Sequence, residues 1–117
     1  MRAVALWVLL FLTVCATRSG AIAAADAPSG EGLAVFNRWC ADCHAPLSAH
    51  RKMLAGTYVL QQLYKGTKPA ALEQRTDLTR AYIKRIVRSG WNIMPATRRT
   101  EISDPQLEAL AAYLARQ

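Results

Sequence analysis

Two cysteines and a histidine stand close together near the middle of this 117-residue chain, in the run Cys40-Ala41-Asp42-Cys43-His44. Thiol sulfur and imidazole nitrogen are the side-chain atoms most suited to metal binding and covalent chemistry. In the spacing C-x-x-C-H, the two thiols can reach the two vinyl groups of one porphyrin, and the imidazole that follows can bind its iron. The motif therefore predicts one haem c, attached covalently through Cys40 and Cys43, with His44 as the proximal ligand.

Three other interpretations use the same cysteines. A thioredoxin-like redox pair would need a βαβ setting, and the sequence shows no β alternation. A zinc ion would take Cys40, Cys43, His44 and His50 as ligands, although adjacent ligands at 43 and 44 fit one tetrahedral ion poorly. A structural disulfide between the two cysteines is the third. We prefer haem attachment on the strength of the motif and keep these three as alternatives.

The iron would need a second axial ligand, and three residues are candidates. Met94 precedes Pro95 in a predicted loop after a helix, where a thioether could approach the open face of the porphyrin. Met53 could instead be a gap-filling core methionine, and His50 lies in a polar stretch where it would be solvated. We therefore predict Met94. A His/Met pair fills both axial positions and raises the reduction potential, which favours electron transfer over binding of oxygen or peroxide.

The beginning of the chain has the features of a secretory leader. A short positive start, the apolar run 5–16 and an A-x-A-like site before Asp26 predict a signal peptide over residues 1–25. A retained membrane anchor would need roughly 20 apolar residues, and Arg18 interrupts the run too early for that. Lipidation at Cys15 is a further alternative. We predict cleavage near residue 25, export to the periplasm and no stable membrane anchor.

Without the leader, residues 26–117 form one predicted domain. Arg2 and Arg18 leave with the leader, so 13 Lys and Arg remain against 8 Asp and Glu, a net charge of +5. A domain of this size buries a limited core, which a large covalent cofactor would supplement. The positive charge fits steering toward an acidic protein partner. An exported chain without a dense basic run is not expected to bind nucleic acid.

Helical spacing and end signals predict an all-α domain of short helices separated by long loops. The predicted helices begin near Ser29, Thr57, Thr79 and Ser103, and the first three end at about Cys40, Gly66 and Gly90. Thr57 is the predicted cap of the second helix, and Ser103 opens a capping box with Gln106. Long loops are unusual in a compact domain, but they are expected where the chain wraps a prosthetic group.

With these features, the chain resembles the class I cytochrome c family across residues 30–116. The resemblance implies the class I cytochrome c fold, in which the first and last helices cross closely. Gly32 and Phe36 match the small and aromatic positions of the first helix, and Tyr113 and Leu114 match their partners in the last. It also implies an electron-transfer protein that is not itself an enzyme.

A narrower resemblance rests on residues 64–70 and 73–79, on Met94-Pro95 and on residues 98–104. These segments are similar to the cytochrome subunit of 4-cresol methylhydroxylase and related flavocytochromes that oxidise 4-alkylphenols. The resemblance implies a flavoprotein dehydrogenase partner with covalently bound FAD. The cytochrome would accept electrons from it one at a time and pass them to a soluble acceptor protein. Thr97 is a departure, because that family has an aromatic residue at this position.

Eight basic residues lie in the second half of the chain: Lys65, Lys68, Arg75, Lys84, Arg85, Arg88, Arg98 and Arg99. They are either solvated backs of helices or a rim that docks an acidic surface. Two alternatives to a flavocytochrome subunit also stay open. One is a free soluble carrier without a permanent partner, and the other is a haem enzyme or sensor in which Met94 dissociates.

Overall fold

A computed structural model describes residues 29–48 and 54–115, and these residues form five α-helices and one 3-10 turn. The elements are α1 Ser29–Trp39, α2 Ala41–His44, α3 Ala55–Tyr64, the 3-10 turn Leu72–Gln74, α4 Arg80–Ser89 and α5 Asp104–Leu114. The described residues contain no β-strand, so the predicted all-α class is confirmed. None of their helices has the length and apolar character needed to span a membrane. The predicted leader, His50 and Met53 lie outside the described residues.

The last two helices, α4 and α5, start where the sequence predicts. Thr79 caps α4, because its side-chain oxygen accepts a hydrogen bond from the backbone N–H of Tyr82 at 3.2 Å. Ser103 and Gln106 form the predicted capping box of α5, in which each side chain accepts from the backbone N–H of the other. In both helices, side chains at the helix start therefore accept hydrogen bonds from backbone N–H groups that would otherwise lack a partner.

The start of α3 differs from the prediction. The helix begins at Ala55, after an extended Leu54, and Thr57 is a buried residue inside its first turn. The Thr57 hydroxyl lies 2.8 Å from the carbonyl oxygen of Ala45 and 3.2 Å from that of Cys43. The predicted cap is therefore wrong, because the hydroxyl donates to the segment around α2 and not to its own helix. Thr57 ties α3 to the C-x-x-C-H turn.

The crossing of α1 and α5 depends on the absence of a side chain at Gly32. A Cβ atom built there would lie 2.5 Å from the Cβ atom of Tyr113 and would also collide with the carbonyl group of Ala109. One turn further along α1, the ring centroid of Phe36 lies 5.9 Å from that of Tyr113, and the two rings are tilted by 42°. The close crossing that the resemblance implies is confirmed.

One core joins the helices around this crossing. Its buried members are Val35, Phe36, Ala41, Leu78, Ile83, Val87, Ile102, Leu107, Leu110, Ala111, Tyr113 and Leu114. Leu33 and Trp39, which share the predicted helical spacing with Phe36, are 38% and 43% exposed. These two side chains are partly exposed because α1 packs mainly on α5, and a single neighbour covers only a narrow face.

Replacing Gly32 by Ala tests the crossing. The new methyl group has no room, so we expect the free energy of unfolding to fall by about 1–3 kcal/mol, as for other overpacked sites. Gly30→Ala is the matched control in the same helix, because nothing lies within 4 Å of a Cβ atom built there. It should cost nothing or stabilise by up to about 1 kcal/mol. Denaturant unfolding of both variants measures the difference, and equal effects would contradict a tight crossing.

Candidate functional site

A cavity of about 510 Å³ gathers the chemically active residues that the sequence indicated. Cys40, Cys43 and His44 line it from the end of α1 and from α2, and Met94 lines it from the segment after α4. Most of the remaining wall is apolar and comes from Val59, Leu60, Leu63, Leu72, Leu78, Ile83, Ile86, Val87, Leu110 and Leu114. A mostly apolar cavity of this volume suits a cofactor.

The three residues of the motif lie on one turn of backbone. α1 ends at Trp39, and the carbonyl oxygen of Cys40 accepts hydrogen bonds from the N–H groups of Cys43 at 3.0 Å and His44 at 2.8 Å. No disulfide joins the two cysteines in this turn. The turn therefore brings two thiols and an imidazole to one side of the cavity from five consecutive residues.

The surroundings of the two cysteines bear on two of the alternatives, a redox-active cysteine pair and a zinc site. Burial, and secondarily the charge of Cys43, raise the pKa of the Cys40 thiol to about 11. A redox-active cysteine pair instead needs a stable thiolate near neutral pH. Among the described residues, no three His, Cys, Asp or Glu side chains are grouped to hold a metal ion, and His50 of the proposed zinc set lies outside them. The raised pKa of the Cys40 thiol is therefore unlike that of a redox-active cysteine pair.

The backbone of α3 holds the ring of His44. A Cβ atom built at Gly56 would lie 2.5 Å from Cε1 and 2.8 Å from Nδ1 of His44, so glycine is the residue that fits against the ring. The Nδ1 atom is buried and has no hydrogen-bond partner among the described residues. Burial also lowers the pKa of His44. The ring is therefore held neutral, which is the form in which imidazole binds a metal.

A tight turn positions Met94. The N–H of Trp91 donates to the carbonyl oxygen of Met94 at 3.0 Å, and the N–H of Met94 donates back at 2.9 Å. Asn92 and Gly90 supply the positive φ angles of this segment, +54° and +69°. A Cβ atom at Gly90 would lie 2.6 Å from the carbonyl oxygen of Met94. The sequence indicated Met94, but the supporting turn was missed, although Gly and Asn are residues that tolerate positive φ.

A polar group interrupts the apolar wall. Arg75 is 6% exposed, and its Nε and Nη2 atoms donate to the two carboxylate oxygens of Asp77 at 2.5 and 2.7 Å. Its Nη1 atom donates to the Tyr64 hydroxyl at 2.8 Å. Lys68 also pairs with Asp77, at 3.2 Å. The hydrogen bonds from Arg75, and then those from Lys68, hold the pKa of the Asp77 carboxyl well below its usual range.

Sequence reasoning did not assign this polar group to the cavity. It counted Lys68 and Arg75 among basic residues on helix backs or a docking rim, and it used Tyr64 and Asp77 only as part of the narrower resemblance. All four residues line the cavity. The spacing of Arg75 and Asp77 is the available signal, because an Arg-x-Asp pair can close a bidentate ion pair within one loop.

A helical domain with this crossing, and with a C-x-x-C-H turn and a methionine on one apolar cavity, is a c-type cytochrome domain. Residues 27–114 match the family model described as cytochrome C oxidase, cbb3-type, subunit III, and the chain belongs to that family. It is also 30% identical over 92 residues to the 4-cresol dehydrogenase (hydroxylating) cytochrome c subunit of Pseudomonas putida. The match covers 79% of this chain and 65% of the length of that relative.

The family assignment makes the chain a c-type cytochrome domain, and haem-dependent electron transfer is the activity that such a domain indicates. It confirms the c-type cytochrome, the class I fold and the likeness to the cresol-oxidising system. Haem c is the cofactor that the family implies. The residues fit it, because two thiols, a neutral imidazole with an orphaned nitrogen and a thioether meet at an apolar cavity.

Two glycines at positive φ test the support of Met94. Gly90→Ala introduces both backbone strain and a collision with the Met94 carbonyl group. Gly66→Ala introduces the strain alone, because nothing lies within 4 Å of its Cβ position. We expect a loss of about 1–2 kcal/mol of unfolding free energy for Gly66→Ala, and about 1–3 kcal/mol more for Gly90→Ala. Denaturant titrations compare them, and losses of the same size would show that the Met94 turn is loosely packed.

Proposed function

We propose that the chain transfers single electrons through one haem c, bound covalently by Cys40 and Cys43 and ligated by His44 and Met94. The observation that carries this proposal is the convergence of the four side chains on one cavity. Haem, when bound, supplies a centre that takes up and releases one electron. His44 and Met94 would hold the iron from the cavity walls, and this pair of ligands would disfavour reactions with oxygen or peroxide.

Replacing Met94 by Ala tests the ligand assignment. Loss of the thioether should lower the reduction potential and allow carbon monoxide to bind the reduced protein, because an axial position becomes open. Met53→Leu is the matched control, since Met53 is the other candidate methionine and should leave potential and spectrum unchanged. Redox titration and near-infrared absorption measure both variants. An unchanged potential and spectrum in the Met94 variant would rule out this ligand.

We propose that the protein works in the periplasm after removal of residues 1–25. The support is the positive start, the apolar run and the cleavage site before Asp26. No stable membrane anchor is part of this proposal.

For the electron donor, we propose a flavoprotein dehydrogenase subunit that carries FAD, of the 4-alkylphenol methylhydroxylase type. The support is the identity to a relative whose name makes it the cytochrome c subunit of a 4-cresol dehydrogenase. Electrons would pass singly from the flavin to this chain and then to a downstream acceptor protein. A free soluble carrier is the competing function, and it would be isolated without a flavoprotein.

Ion pairs divide the eight basic residues into two groups. Six pair with carboxylates: Lys68 and Arg75 with Asp77, Lys84 with Glu108, Arg88 and Arg99 with Asp104, and Arg98 with Glu101. Among the described residues, Lys65 and Arg85 have no acidic partner. The guanidinium carbon of Arg85 lies 5.7 Å from the ring centroid of Tyr82, which lines the cavity. Arg85 is therefore the cation beside the cavity that is available to a partner's carboxylate.

Arg85→Gln tests docking through this charge. The protein is purified from its native source with the flavoprotein that accompanies it, and that subunit then serves as electron donor in stopped-flow experiments. We expect association to slow severalfold at low ionic strength and to depend less on salt. Lys84→Gln, one residue away but paired with Glu108, is the control and should have a smaller effect. Equal effects of both variants would contradict docking at Arg85, and absence of a copurifying flavoprotein would favour the free carrier.

A further inference from the structure

The described residues include one buried charged side chain, that of Arg75, and it lines the cavity. A guanidinium group stays protonated at every accessible pH. Its burial is costly unless it is paired and hydrogen-bonded. The fold therefore maintains a permanent positive charge in the wall where the haem is proposed to bind, and the neighbouring residues are arranged to make this possible.

The neighbours fix this charge in one place. Three of the five N–H groups of Arg75 are used, two by the carboxylate of Asp77 and one by the hydroxyl of Tyr64. The guanidinium carbon also lies 4.9 Å from the ring centroid of Tyr64. Bidentate pairing and stacking on a ring together leave an arginine little freedom. The position of the charge is thus set by the chain and does not depend on a flexible surface side chain.

Asp77 has a different environment from its partner. Its side chain is 47% exposed, and it also pairs with Lys68. Its carboxyl is ionised at neutral pH, and the two cations hold its pKa below the usual range. We name Lys68, Arg75 and Asp77 the rim cluster. It contains two positive charges and one negative charge, with the most deeply buried positive charge on the cavity wall.

We infer that the rim cluster sets the reduction potential of this cytochrome, with Arg75 raising it and Asp77 offsetting part of that effect. The inference rests on the proposed function. A nearby positive charge favours the reduced state of the centre, which has one positive charge fewer than the oxidised state. In a wall of low polarity this effect is screened less than it would be for a charge in solvent. The pair Asp77–Arg75 would then act as a tuning element as well as a structural one.

Asp77→Asn is the direct test, because it keeps the shape of the side chain and removes its negative charge. Redox titration of the holoprotein should show a higher midpoint potential. At a fixed applied potential, the ratio of oxidised to reduced protein should fall by about two- to tenfold, and a tenfold change corresponds to about 59 mV for one electron. Lys68→Met, at a half-exposed position, removes a positive charge and should shift the ratio in the opposite direction.

Asp104→Asn is the matched control. Asp104 also bridges two cations, Arg88 and Arg99, but none of these three residues lines the cavity. It changes the net charge of the protein by the same amount as Asp77→Asn, and the ratio should change by less than about twofold. Equal shifts for the two variants would overturn the inference, because the effect would then be one of net charge alone.

The spectra separate this inference from the proposed function. If the unaltered protein carries a His/Met-ligated haem and Asp77→Asn leaves the potential unchanged, the rim cluster has no tuning role and the proposed function stands. If the unaltered protein carries no such haem, both fail. Should Asp77→Asn not fold, Lys68→Met decides, because a lowered potential supports the inference and an unchanged one overturns it.

Discussion

The contact between the backbone of Gly32 and α5 determines where the parts of the site lie. α1 leads directly from this contact into the turn that contains Cys40 and His44, so the crossing fixes the position of the thiols and the imidazole. α5 also packs on α4, and α4 leads into the turn that carries Met94. Two segments more than forty residues apart in sequence are therefore positioned by one helix crossing.

A second constraint acts on the C-x-x-C-H turn from α3. The Thr57 hydroxyl bonds to carbonyl groups on both sides of His44, and Gly56 lies against the imidazole ring. Thr57 holds the turn through its hydroxyl group. Gly56 leaves room for the imidazole ring, and a larger residue at this position would displace the ring. The helix thus serves chiefly to hold α2, while its Val59 and Leu60 face the cavity.

The sequence predicted those features that depend on local chemistry. Ser103 and Gln106 cap α5 through bonds within four residues, and the C-x-x-C-H spacing encodes its own turn. Thr57 was misjudged because a threonine before a helix and a threonine bonded to a distant carbonyl look alike in sequence. The exposure of Leu33 depends on which helices lie beside α1, and helical periodicity in the sequence does not identify those neighbours.

The rim cluster could not be predicted for a related reason. Arg75 and Asp77 are close in sequence, but their place on the cavity wall depends on the path of the loop between α3 and α4. That loop is fixed by tertiary contacts, among them the hydrogen bond from the Tyr113 hydroxyl to the carboxylate of Glu73. The number of basic residues in a sequence therefore does not indicate which of them face a partner and which face the interior.

The segment that carries Met94 is held on both sides. The turn with Trp91 fixes it before the methionine, and the N–H of Thr97 donates to the carbonyl oxygen of Val87 at 2.8 Å just after it. The carbonyl oxygen of Thr97 in turn accepts from Arg88. For the proposed iron ligand, such bracing means that few atoms need to move when the oxidation state changes. A ligand that is held in this way would let the proposed centre gain and lose an electron without rearrangement of the fold around it.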